Sequence, residues 1–259
     1  MDWNTFWIII AFLMGLAGGS FLNAVIYRID NLMSIARERS RCPHCKKEIA
    51  WYDLLPLLSF IALKGQCRNC GKKISWQYPV IELATAVLFV VLYLSVGLSW
   101  YTLFLAIISM FLMVIFVVDL REMIIPDIMV IPALVFWAVV WIISLIPGID
   151  LGMPVDFLNF LYGGLLGAGF IGLIVLITKG KGMGIGDIKL AGLLGFVLGW
   201  PYALIGLFAA FIVGSLIGII LLVTKIKKLK SEIPFAPFLI IGFYIAIFWG
   251  AYFVNWYTR

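Results

Sequence analysis

Apolar runs long enough to cross the roughly 30 Å hydrocarbon core of a bilayer recur along this sequence. They lie near residues 3 to 26, 79 to 97, 100 to 118, 128 to 147, 157 to 178, 188 to 200, 202 to 224 and 234 to 256, punctuated by Gly, Pro and charge. With 64% hydrophobic and 12% charged residues, the chain would expose far too much apolar surface to remain in water. The pattern predicts an all-α polytopic membrane protein of about eight transmembrane helices. The run at 188 to 200 is short for a full crossing, and only Gly199-Trp200-Pro201 separates it from the next. The first run follows Asp2 without a basic stretch and is too long for a signal-peptide core, so it reads as a retained span.

The charge distribution predicts the orientation. Of nineteen Lys and Arg residues, ten lie in the 28 to 78 loop, three in 179 to 189 and four in 225 to 230, with Arg121 beside them and Arg259 alone on the other side. Basic residues in short loops collect on the cytoplasmic face, so eight crossings with both termini outside account for the pattern. The formal charge of +6 then reflects topology and contact with membrane lipid, and no nucleic-acid partner is expected. Three regions follow: residues 1–27 as the first span, 28–78 as a cytoplasmic loop module, and 79–259 as the main membrane domain.

The loop module carries all four cysteines, as Cys42-Pro-His-Cys45 and Cys67-Arg-Asn-Cys70. Two CxxC turns aim four sulfurs at one tetrahedral centre, and a cytoplasmic loop keeps its thiols reduced. Cys42, Cys45, Cys67 and Cys70 are therefore expected to hold a structural Zn²⁺. His44 is the sole histidine, which makes a Ser-His-Asp hydrolase improbable. Glu48 and Asp53 read as solvated loop residues, and no internal repeat or low-complexity linker stands out.

Acids beside membrane spans are costly unless a partner or a function holds them. Asp127 follows Pro126 at the start of a span and reads as a helix cap. Asp119 ends a span, where it opposes the helix dipole and needs another reason. Asp187 closes Gly182-Met-Gly-Ile-Gly-Asp187, whose glycines allow another backbone to approach closely. Two carboxyls brought together in a partly dehydrated site share one proton and so supply an acid and a base, the arrangement that activates water against a peptide carbonyl. A transporter or channel that relays protons or cations through these acids is the competing reading.

In combination these motifs resemble the type IV prepilin peptidases, membrane aspartyl proteases of the GxGD type. The resemblance runs through Gly19-Ser20-Phe21-Leu22-Asn23 with Tyr27-Arg28, the double CxxC enclosing Trp51-Tyr52-Asp53 and Pro56, and Tyr78-Pro79 with Glu82. It continues through Asp119-Leu-Arg-Glu-Met-Ile-Ile-Pro126-Asp127 and Gly184-Ile-Gly-Asp187-Ile-Lys189. It implies a catalytic pair at Asp119 and Asp187, zinc on the four cysteines, and 79–259 as the peptidase domain. The implied substrate is a prepilin or pseudopilin of a type IV pilus or type II secretion system, with its basic leader cut after a glycine at the cytoplasmic face of the bacterial inner membrane. It further implies N-methylation of the new N-terminus from S-adenosylmethionine, although the sequence shows no nucleotide fingerprint. Many members carry a second acid two positions after the first catalytic aspartate, where this chain has Arg121.

Overall fold

The computed structural model describes residues 2–29, 39–152, 156–226 and 232–258. The predicted basic connector at Lys227, Lys228 and Lys230, and Arg259, lie outside them. Among the described residues the chain is helical, with α1 Trp3–Tyr27, a short α2 Leu58–Ala62, α3 Gln77–Val96, α4 Trp100–Glu122, α5 Asp127–Ser144, α6 Phe157–Thr178, α7 Ile185–Leu198, α8 Tyr202–Val223 and α9 Ala236–Tyr257. Seven of these are long and apolar enough to cross a membrane, which makes the chain a multi-pass membrane protein. The eighth expected span is α7, whose 14 residues reach about 21 Å, short of a full crossing. Contacts divide the chain into two compact units, Met1–Val114 and Ile115–Arg259, with the division inside α4.

In the first unit α1 packs on α3 through small residues. A Cβ on Gly19 would lie 2.6 Å from Glu82 Cα, and one on Gly15 would lie 2.5 Å from Ala86 Cα. Glycines four apart thus bring two backbones together, as small residues do between helices in lipid. Asn23, one turn farther along α1, donates from Nδ2 to the Tyr78 carbonyl at 3.1 Å.

The cysteine module between α1 and α3 contains a duplication that the sequence analysis did not identify. Cys42, Cys45, Lys47, Ile49 and Trp51 recur 25 positions on as Cys67, Cys70, Lys72, Ile74 and Trp76. The backbone repeats with them. Cys42 N donates to Lys47 O at 3.0 Å and Cys67 N to Lys72 O at 2.8 Å, while the bridge Arg41 to Glu48 is matched by Gln66 to Lys73. The residue after each second cysteine is left-handed, Lys46 at φ 60° and Gly71 at φ 66°.

In the second unit α7 is the central element, with contacts to α5, α6, α8 and α9. Leu190, Ala191, Gly192, Leu193, Leu194, Gly195 and Val197 are all buried, as expected of a helix that is apolar on every side. Its closest neighbour is α6. Gly163 and Gly195 abut backbone to backbone, and Gly167 abuts Ala191 in the same way. At the far end the turn into α8 contains a cis peptide between Trp200 and Pro201, and Trp200 N donates to Asn159 O at 3.2 Å.

Candidate functional site

Asp187 is the third residue of α7, and its carboxylate Oδ2 accepts the N–H of the N-cap residue Gly184 at 2.9 Å. An anion here is favoured by the helix dipole and satisfies one of the amides that have no partner within the helix. Ile188, one residue on, lies beside Gly172 of α6, which continues to Thr178. Asp187 therefore sits about 8 Å short of the end of α6, recessed among helices. It is 8% exposed.

Asp119 lies in the last turn of α4 and is 4% exposed. The unfavourable position noted in the sequence has a structural answer. Asp119 Oδ2 accepts the N–H of Ala236, the first residue of α9, at 3.2 Å, so the positive end of one helix offsets the negative end of another. Both acids are buried in the second unit, Asp119 at the end of α4 and Asp187 at the start of α7. Among the described residues neither has a cationic partner. Each makes one backbone hydrogen bond, which leaves lone pairs free for a proton, a water or a carbonyl group.

Local contacts hold this arrangement. Ile125, in the turn between α4 and α5, packs where a Cβ of Gly186 would stand, 3.0 Å from Ile125 Cβ. Gly186 is thus the glycine of the motif whose missing side chain is used, and Gly184, at φ −87°, adopts a backbone open to any residue. Asp127 does not cap α5 as expected. The N-cap is Pro126, and Asp127 instead receives Lys189 Nζ at 2.7 and 2.8 Å. With Lys189 two residues beyond Asp187, the pair ties the start of α5 to the first turn of α7. The Ala236 amide and the Asp127–Lys189 pair were not recognised in the sequence. The Pro234 and Pro237 punctuation before the last span is the nearest signal to the former.

The cysteine module forms a second site. One sulfur from each of Cys42, Cys45, Cys67 and Cys70 lies within 4.8 Å of the others, and the sulfurs of Cys42 and Cys70 are 3.9 Å apart. A tetrahedron with Zn–S bonds of about 2.3 Å has edges of about 3.8 Å, so the donor set fits a four-thiolate ion. Burial raises the Cys42 thiol, but the amides of Cys45 and His44 and the thiols of Cys67 and Cys45 outweigh it and bring it to about 7. The Lys72 amide lowers Cys70, yet burial and the three neighbouring thiols push it up to about 11. Asp53 is not the solvated acid expected from the sequence. Arg68 grips both its oxygens, at 2.7 and 2.9 Å, while lying 5.4 Å over the Tyr52 ring. The hydrogen bonds from Arg68 hold the Asp53 carboxyl below its ordinary range.

Comparison with known proteins covers both units. Residues 13–96 match the bacterial peptidase A24 N-terminal domain, and residues 106–219 match the type IV leader peptidase family. A prepilin leader peptidase/N-methyltransferase of Bacillus subtilis is 36% identical over 96% of this chain and 97% of its own length. One of Aeromonas hydrophila is 32% identical over 96% of this chain and 92% of its own. One of Legionella pneumophila is 31% identical over 99% and 96%. No solved structure matches.

Proposed function

We propose, from the premise that this chain belongs to the type IV leader peptidase family, that it removes the leader of a prepilin or pseudopilin with Asp119 and Asp187 and methylates the new N-terminus. The observation that carries the choice of residues is the pair of buried carboxyls, each with one backbone donor and no cation beside it among the described residues. Two such groups in a dehydrated site hold one proton between them.

The chemistry then balances without a metal. The ionised carboxylate takes a proton from a water as its oxygen bonds to the scissile carbonyl carbon, and the protonated carboxyl gives its proton to the carbonyl oxygen. Collapse of the tetrahedral intermediate breaks the C–N bond. The leaving nitrogen receives the proton taken from water, and the hydroxyl proton returns to the pair. The Ala236 and Gly184 amides orient the two carboxyls through this cycle. Recession of Asp187 behind the end of α6 limits competing water.

Zn²⁺ on Cys42, Cys45, Cys67 and Cys70 closes the module as a structural ion, since four thiolates leave no open position for substrate. The methyl donor, S-adenosylmethionine, is a second substrate of the same protein. The clustering of Lys and Arg in loops on one side supports a bacterial inner-membrane location with the acid pair facing the cytoplasm.

One experiment tests the reading: purified full-length protein is incubated with a prepilin and S-adenosylmethionine, and the N-terminus of the product is read by mass spectrometry. A shortened, N-methylated product is expected. Proton or cation flux in vesicles with no cleavage would support the transporter reading instead.

A further inference from the structure

The first unit holds a buried acid that cleavage does not use. Glu82 lies in α3, inside a membrane-spanning helix, and is 7% exposed. A carboxyl at such a position marks a function or a partner, yet among the described residues it has no ion pair. It accepts the Leu57 N–H at 2.9 Å.

Two further observations concern the same place. Asn23 is 3% exposed, and its Nδ2 is committed to the Tyr78 carbonyl, so its orientation is fixed. Its Oδ1 is buried with no hydrogen-bond partner. Tyr78 lies one turn before Glu82, and helical side chains lean toward the N-terminus, so the Glu82 carboxyl leans over the turn that Asn23 touches. The second observation is the backbone at Leu57, which has φ 58° and ψ −45°. Leu58 N donates to Pro56 O at 2.6 Å, closing a γ-turn of the rare strained kind around Leu57. The amide that occupies Glu82 is thus presented by a strained turn.

We propose that Glu82 and Asn23 form a receptor for a primary ammonium group, with the Leu57 turn as a latch that releases the Glu82 carboxylate when the cation arrives. The receptor offers one negative charge and one neutral oxygen. Ca²⁺ and Mg²⁺ take six or more oxygens, and Zn²⁺ favours the sulfur and nitrogen ligands that this place lacks. A guanidinium carries five N–H donors in a fixed plane, more than one carboxylate and one amide oxygen satisfy. An ammonium has three N–H donors, enough for Glu82, Asn23 Oδ1 and one more acceptor. Resting on the leader-peptidase reading, the ligand is the α-amine that leader removal creates on an apolar helix. Glu82 and Asn23 then position that amine as the methyl acceptor.

The test uses full-length protein in nanodiscs and a fluorescent peptide of the mature pilin N-terminal segment, with either a free or an acetylated α-amine, read by anisotropy. A charge-assisted contact of this kind predicts that the wild type prefers the free amine by about tenfold or more. Glu82→Gln, which still accepts the Leu57 amide, is expected to lose that preference, and Glu82→Asp to keep part of it. Leu57→Gly, which adopts the turn without strain, is expected to hold the latch shut and weaken free-amine binding several-fold. In the prepilin assay, Glu82→Gln is expected to lower the methylated fraction of the cleaved product. Equal wild-type affinity for the free and acetylated peptides would overturn the proposal without any variant, as would a preference that Glu82→Gln retains. Wild-type protein that fails to cleave prepilin would instead refute the leader-peptidase reading.

Discussion

Gly195→Ala tests how closely the acid pair depends on the α6–α7 contact. A Cβ at Gly195 would stand 2.7 Å from the carbonyl carbon of Gly163 and 3.0 Å from Gly164 Cα. Carbon atoms pack at about 3.5–4.0 Å, so the two helices must separate by roughly 1 Å. Overpacking of this size costs about 1–3 kcal/mol, offset by the roughly 1 kcal/mol that alanine gains over glycine in a helix interior. The net loss of stability should therefore be at most about 2 kcal/mol, small enough for the variant to fold. Catalysis should not be spared, because α7 carries Asp187 and an error of about 1 Å in placing a reacting group costs on the order of 10²-fold in rate. The assay is prepilin cleavage by purified Gly195→Ala beside Gly169→Ala, whose added methyl group would meet nothing within 4 Å. About 100-fold loss in the first with wild-type rate in the second is expected. Wild-type cleavage by Gly195→Ala, or equal loss in both, would refute the reasoning.

Other consequences follow from the same geometry. Asp127→Asn or Lys189→Met breaks an ion pair whose side chains are 52% and 45% exposed, so thermal stability should shift by under about 1 kcal/mol while cleavage falls a few-fold. Metal analysis should find one zinc per chain, and Cys67→Ser should lower it and expose the 39–76 module to protease while leaving the helices intact. Arg68→Ala uncovers Asp53, whose side chain is 9% exposed in the pair, and should increase amide exchange in the module without removing zinc.

The features legible in the sequence were those carried by local pattern. Span positions follow from hydropathy, the cysteine cluster from CxxC spacing, and the need of Asp119 for a partner from an acid placed against a helix dipole. What escaped was set by contacts distant along the chain. The Asp119 partner is a backbone amide 117 residues away, which no side-chain motif announces. Asp127 had a sound local reason to cap its helix, but Lys189 offered a full charge in place of a dipole. The glycines of the motif were the ones expected to admit another backbone, whereas backbones meet closely at Gly163 and Gly195 and at Gly206 and Gly242, where each alone looks like an ordinary glycine in an apolar run. The twofold knuckle escaped because its matching residues are Cys, Lys, Ile and Trp at intervals, with different residues between them.

The central claim is that one proton shared by Asp119 and Asp187 drives peptide cleavage. Its most direct test is the rate at which Asp119→Asn and Asp187→Asn cut a prepilin, with melting temperature and zinc content measured on the same samples. The account predicts that each variant folds, keeps its metal and loses on the order of 10³-fold or more in rate. A folded variant of either kind that cleaves at the wild-type rate would contradict it.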